Sequence, residues 1–283
     1  FFLLSGAANR DIAAKSTREV LRGSLRLVLL AWICQIAGAV LALVLGRVPL
    51  DAGSVITTLF RPIVVGYDWS TAVIWFLVSL AVVRPIVHAL TARRSAVAVG
   101  LAVLALGLGG WALVDPAIDD LQQVRTWVLG ALFFALGGWM ARDRRRLPPP
   151  LLGAGLLVAA VALAPLNLGC RWSPAEVCGL TVLDGRAAVV MVGGYYGNLP
   201  LALVTAILGA VGAWSVAAGL AGVRPIGARL AGLGRASLDL FLLNGFVLVF
   251  VGPVAASIGL ATAGGPAFHG LWVVGAMPLH VGL

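Results

Sequence analysis

Long apolar runs are the feature that most constrains this chain. A helix needs about 20 apolar residues to cross a hydrocarbon core of about 30 Å. Runs of this kind predict seven complete spans, at residues 23–46, 69–90, 95–114, 124–141, 150–166, 199–221 and 236–260. Only 11% of the 283 residues are charged, against about 25% in a soluble domain. The sequence therefore predicts an all-α, polytopic transmembrane helix bundle.

The two ends of the chain resemble parts of further helices. The first residues, "FFLLSGA", have the character of the last turns of a helix, and residues 271–283 that of the first two-thirds of another. We therefore expect a single transmembrane domain over residues 1–283 that is truncated at its N-terminus and at its C-terminus.

The basic residues indicate the orientation of these spans. If the loops alternate between the two sides of the membrane, fifteen of the 20 Lys and Arg residues belong to one set of loops, in which Arg84 is counted. Basic loops face the cytoplasm, so we assign this set to that side. The run "RDRRR" at 142–146 is then interpreted as a topology anchor rather than a nucleic-acid contact.

Two cysteines test the same orientation. Cys170 and Cys178 share one predicted outer loop, where the oxidising environment favours a disulfide. The alternative is a pair of free thiols in a cytoplasmic loop, which requires the opposite topology.

Motifs of soluble enzymes are absent from the sequence. It has no HExxH, no Cys/His cluster, no Walker-type loop and no Gly-x-Ser-x-Gly elbow, so we expect no metal site and no bound cofactor. The histidines His88, His269 and His280 lie near predicted span ends and are interpreted as interfacial residues.

Polar residues in or beside the spans are the candidate site residues. Arg22 and Arg26 are four residues apart on one helical face, where they either snorkel to lipid headgroups or hold an anionic, phosphate-bearing substrate. On the outer side, Asp68 is available as a helix cap or a polar contact. Trp75 lies deeper, where it either packs in the core or lines a cavity.

The late segment "GLGRASLDLFLLNGF" (232–246) supplies two more candidates. Asn244 lies two turns beyond Ser237 on the same helical face. Its amide either forms a hydrogen bond between helices or contacts a substrate.

Five motifs in order give the chain a family resemblance. They are "FFLLSG", "REVLRGSLRLVLLAW", "IWFLVSL", "LFFALGGWMARDRRR" and "GLGRASLDLFLLNGF". Together they resemble the integral-membrane acyltransferase-3 family, in particular its fucose-4-O-acetylase-like branch. That resemblance implies ten helices with both termini cytoplasmic. It also implies that the first helix, which carries the family's Arg and His pair, and most of the second precede Phe1.

The resemblance assigns motif positions to Ser5 and Gly6, Arg22 and Arg26, Trp75 and Ser237. Two positions depart from the pattern: the proline that often follows the basic motif is absent, and Asn244 stands where His is common. Since an amide is not a base, a proton-transfer role is excluded at Asn244.

The resemblance implies transfer of an acyl group, acetyl in particular, from a cytoplasmic acyl-coenzyme A to a hydroxyl of a cell-envelope sugar or glycan. The implied partners are membrane lipids, the acyl-CoA co-substrate and a glycan acceptor, with no nucleic acid. We expect Arg22 and Arg26 to contact the acyl donor rather than lipid headgroups alone, and Asp68 with Tyr67 and the nearby aromatic residues to suit the carbohydrate acceptor. The implied location is the bacterial inner membrane. Two alternatives stay open: a transporter or flippase for a lipid-linked sugar or acyl donor, and a non-catalytic membrane scaffold.

Overall fold

The chain forms a bundle of membrane-spanning helices. The computed structural model describes residues 2–44, 51, 53–57, 60, 75–93, 95–114, 123–142, 147–167, 181–183, 186–187, 196, 198–223 and 227. Its helices are α1 (Phe2–Ala8), α2 (Thr17–Val44), α3 (Trp75–Ala92), α4 (Ala96–Val114), α5 (Val124–Arg142), α6 (Pro150–Leu163) and α7 (Leu199–Ala221). Five of them, α2 to α5 and α7, are long and apolar enough to cross a membrane. The predicted all-α, multi-pass architecture is confirmed.

Most predicted boundaries within the described residues hold to within a few residues, and one does not; the start predicted at residue 69 lies outside them. Helix α2 begins at Thr17 rather than at residue 23, because Ser16 and Glu19 form a capping box. The Ser16 backbone N–H donates to Glu19 Oε2 over 2.7 Å, and the Glu19 N–H donates to Ser16 Oγ over 3.3 Å. This reciprocal pairing satisfies N–H groups that a helix start leaves free.

Two other expectations about the helices have different outcomes. The run at 150–166 is a 14-residue helix, α6, followed by a 3-10 turn at Ala164–Leu166, and it is shorter than the other spans. The spans expected at 236–260 and 271–283 lie outside the described residues.

Helices α3 and α5 form the centre of the bundle. Helix α3 packs against α2, α4 and α5, while α5 also packs against α1. The core between them contains Phe2, Phe76, Leu77, Val83 and Phe134, all less than 5% exposed. The Phe2 ring meets the Phe76 ring edge-on with 4.9 Å between centroids.

Glycines bring α1 and α5 into backbone contact. A Cβ atom at Gly6 would overlap the carbonyl of Phe134, and one at Gly137 would overlap the carbonyl of Leu3. Small residues of this kind permit close helix approach in membranes. The motifs "FFLLSG" (1–6) and "FFALGG" (133–138) therefore form one interface, although they lie far apart in the chain.

Helices α6 and α7 pair in the same way. A Cβ atom at Gly153 would lie 2.6 Å from Ser215 Cβ, and one at Gly212 would lie 2.6 Å from the Gly153 carbonyl oxygen. The side chain of Asn198 caps α7 by accepting from the Leu201 N–H over 3.2 Å. In the chain, two short antiparallel β-strands follow α6 and precede α7: β1 (Thr181–Leu183) and β2 (Arg186–Ala187). The sequence did not predict them.

Large apolar side chains cover much of the outer surface. Leu101, Trp111 and Leu151 are 62%, 59% and 87% exposed. In water such a surface would promote aggregation, whereas a bilayer solvates it. The protein is a multi-pass membrane protein.

Candidate functional site

The linker between α1 and α2 folds over the basic end of the bundle. Its 3-10 turn, Ile12–Ala14, contacts α3. The His88 Nδ1–H donates to the Ile12 carbonyl over 2.9 Å. Arg142, the last residue of α5, donates to the Arg10 carbonyl from Nε and Nη2 over 2.9 and 2.6 Å. Contacts from two central helices therefore fix the path of the linker.

Two cations converge on one amide in this linker. The Nζ of Lys15 donates to Asn9 Oδ1 over 3.1 Å, and Nη2 of Arg84 donates to the same oxygen over 3.3 Å. The Asn9 amide group is held in turn, because its Nδ2–H donates to the Ser5 carbonyl over 2.9 Å. We call Asn9, Lys15 and Arg84 the polar cluster.

Arg84 does not lie in a loop, so the sequence assignment that counted it with the cytoplasmic loops is wrong. It lies in α3, two turns before the helix ends, and is partly buried. The absence of a side chain at Gly23 makes room for its guanidinium group, since a Cβ there would lie 2.9 Å from Nη2. The long α3 continues past Arg84 to Ala92 and keeps this charge inside the bundle.

The polar cluster has an unused hydrogen-bonding atom. Arg84 Nε is buried and has no hydrogen-bond partner among the described residues. Within that part of the chain no carboxylate lies within 4.0 Å of Arg84; the ion pair of Arg10 and Asp11, at 3.6 Å, is exposed. Buried polar atoms normally have partners, so this arrangement suits an anionic ligand.

A cavity of about 490 Å³ lies beside the polar cluster, between α2, α3 and α4. Its wall is mostly Ala, Val, Leu and Ile, with Thr17, His88 and Ser95 as the polar lining residues. Thr17 Oγ1 and His88 Nε2 are 3.3 Å apart. His88 is 3% exposed, so it packs inside the bundle rather than at an open interface.

The site residues expected from the sequence fall into three groups. Ser5 lies at the polar cluster through its carbonyl, and Trp75 packs in the core, 6.4 Å from the Phe2 ring centroid. Arg22 and Arg26 are both exposed, and their contact with a donor stays a prediction. The positions that lie outside the described residues are Asp68, Cys170, Cys178, Ser237 and Asn244.

Sequence reasoning missed most of the polar cluster. The available signal was Arg84 and His88, four residues apart in a predicted apolar span and therefore on one helical face. Ionisable residues inside a span normally face the interior or a cavity. No sequence signal indicated that Asn9 and Lys15 would join Arg84, because that contact depends on how the α1–α2 linker folds back onto α3.

A second polar group lies near the other end of α3 and α5. Ser79 Oγ donates to Gln123 Oε1 over 2.8 Å, and Arg125 Nε donates to the Ala112 carbonyl over 2.8 Å. Arg125 is 3% exposed within α5. The described part of the chain has no group of three His, Cys, Asp or Glu residues that would hold a metal ion.

Comparison with known proteins does not assign the chain to a family. No protein-family profile matches the chain, and no solved structure matches it. A segment of 66 residues, 23% of the chain, is 38% identical to NADH-quinone oxidoreductase subunit K from Solidesulfovibrio magneticus. The chain spans 56% of that relative's length, and this similarity does not show a family.

Proposed function

We propose that the protein is a membrane-bound O-acyltransferase. It would move an acyl group, acetyl in particular, from acyl-coenzyme A to a hydroxyl of a cell-envelope sugar or glycan. The observation that supports this best is the convergence of Lys15 and Arg84 on Asn9 Oδ1. Two cations at one neutral oxygen repel each other, and a phosphate bound there would relieve the repulsion. It would also accept from the free Nε–H of Arg84.

The position of the polar cluster is consistent with a cytoplasmic donor. It lies at the end of the bundle that carries the α1–α2 linker and Arg142, where basic residues are concentrated. The positive-inside rule assigns that end to the cytoplasm, where acyl-CoA is present. The location that we propose is the bacterial inner membrane.

Four of the motifs behind the acyltransferase-3 resemblance lie on helices that pack together. "FFLLSG" packs on "FFALGG", the basic motif enters α2 beside the polar cluster, and "WFL" begins α3 at the end away from that cluster, where the Trp75 ring centroid is 6.4 Å from that of Phe2. Their proximity supports the resemblance. The acceptor side depends on Asp68 and its aromatic neighbours and rests on the sequence alone.

Thioester cleavage separates this function from its alternatives. The full-length protein in lipid nanodiscs would be given acetyl-CoA and a cell-envelope glycan fraction, and free CoA thiol and glycan acetyl ester would be measured. We expect the two products in equal amounts from the wild type and neither from Arg84→Gln. Arg10→Gln, which removes an exposed arginine of the same linker, serves as the control and should retain transfer.

The alternatives predict other results. A transporter or flippase would move the donor or a lipid-linked sugar across a vesicle membrane with the thioester intact, and a scaffold would do neither. CoA release by the wild type that is unaffected by Arg84→Gln would remove the donor site from the polar cluster.

A further inference from the structure

Thr17 and His88 form a hydroxyl–imidazole pair for which the donor site described above has no use. The two side chains come from different helices, with 3.3 Å between Thr17 Oγ1 and His88 Nε2. A nucleophile and its base are normally within about 2.6–3.2 Å, and the distance is often longer without substrate. The pair therefore has the spacing of an unliganded nucleophile and base.

We propose that Thr17 is an acyl-accepting nucleophile, that His88 is its general base, and that transfer passes through an acyl ester on Thr17. This inference rests on the proposed function, since it names the residues that would handle the acyl group. It places the chemistry on two of the described residues.

The hydrogen bond at Nδ1 selects the tautomer of the imidazole. The Ile12 carbonyl can only accept, so Nδ1 must carry the proton in the 2.9 Å bond. In the neutral ring, Nε2 then has a free lone pair directed at Thr17. The Ile12 carbonyl thus orients the base in the way that a third group does in other nucleophile–base pairs.

The cavity beside the pair provides space for the acyl group. Both Thr17 and His88 line it, and the remaining wall is largely apolar. Arg84, four residues before His88 on the same face of α3, lies beside Asn9 and Lys15. The pair and the cationic group therefore lie at the same end of the bundle.

The chemistry balances in two steps. Thr17 Oγ1 attacks the thioester carbonyl carbon, and His88 Nε2 takes the hydroxyl proton. The C–S bond breaks, and the proton passes to the sulfur to give free CoA and an ester on Thr17. An acceptor hydroxyl then attacks that ester while Nε2 takes its proton, and the proton returns to Thr17 Oγ1 as the C–O bond breaks.

Covalent labelling tests this inference. The full-length protein would be incubated with acetyl-CoA carrying a labelled acetyl group and no acceptor, then denatured and digested. We expect label on the peptide containing Thr17, stable to neutral hydroxylamine as an ester is, whereas a thioester on Cys34 would be cleaved. Thr17→Ser should retain the label, and Thr17→Val should lose it.

Two further variants separate catalysis from structure. His88→Asn keeps an N–H donor for the Ile12 carbonyl but has no base, so it should lose the label and slow transfer by roughly 10²–10⁴-fold. Thr205→Val is the matched control, because the Thr205 hydroxyl donates within its own helix to Leu201 over 2.9 Å. It should match the wild type in labelling.

The outcomes separate the two proposals. A wild type that acetylates glycan but carries no label, with full transfer by Thr17→Val, would overturn the Thr17 ester and leave the acyltransferase function standing. Label on another residue would do the same. A wild type with neither label nor product would overturn both.

Discussion

Arg84 is a cation held inside a transmembrane helix bundle, close to a second cation, Lys15. A charged side chain at the centre of a transmembrane helix costs on the order of 3 kcal/mol, yet Arg84 has the neutral Asn9 and the cationic Lys15 beside it. Gly23 leaves room for its guanidinium group. Among the residues that the structure describes, no carboxylate lies beside this cation, which suits the anionic donor that we propose.

The first prediction concerns which arginines bind the donor. Hydrogen bonds to charged groups are worth about 1.5–3 kcal/mol, so Arg84→Gln should weaken acetyl-CoA binding about 10–150-fold. Arg84→Lys should also weaken it, because Lys lacks the planar fork of donors. Isothermal titration of the protein in nanodiscs measures both.

Arg22 and Arg26 supply the comparison. Both are exposed, which favours the headgroup alternative over the donor contact expected from the sequence, and an exposed charge pair is worth about 0–1 kcal/mol. We expect Arg22→Lys and Arg26→Lys to bind the donor within about fivefold of the wild type. A large loss in these variants together with normal binding by Arg84→Lys would move the donor site to the outer face of α2.

At the scale of elements, the interface of α1 and α5 depends on two glycines. A methyl group at Gly6 or Gly137 would overlap a backbone carbonyl of the other helix. Overpacking of this kind costs roughly 1–3 kcal/mol or more. Since α1 leads directly into the linker, a shift of α1 would also move Asn9.

Thermal unfolding in detergent tests this interface. Gly6→Ala and Gly137→Ala should both lower the unfolding temperature. Gly100→Ala is the matched control, because nothing lies within 4 Å of its Cβ position, and helix propensity should stabilise it by up to about 1 kcal/mol. Equal stability of all three variants would mean that α1 does not pack on α5 through these residues.

The sequence predicted elements whose signals are local and missed those that depend on chain reversal. Helix α7 has its predicted bounds, 199–221, because Asn198 and Pro200 mark its start. The start of α2 was misplaced because the capping box of Ser16 and Glu19 lies in a polar segment outside the apolar run. The polar cluster was not predicted because its Asn9 and Lys15 reach Arg84 only once the linker folds onto α3.

At the scale of the whole molecule, the basic end and the polar cluster define one side. Cysteine labelling of a Cys-free variant should find residues 142–146 and 91–95 accessible only from the cytoplasm. Residues 116–122 should be accessible only from outside, because the loops assigned to that side carry few basic residues. Labelling of residues 116–122 from the cytoplasm would reverse the assigned orientation and place the polar cluster on the side opposite to acyl-CoA.

The measurement that tests the central claim most directly follows the acetyl group itself. Inside-out vesicles from cells that express the full-length protein would receive acetyl-CoA labelled in its acetyl carbon, and label in purified envelope glycan would be counted. We predict label in wild-type and Arg10→Gln vesicles, and a loss to the background of vesicles without the protein in Arg84→Gln. Equal labelling of glycan in vesicles with wild-type protein, with Arg84→Gln and without the protein would contradict the acyltransferase assignment.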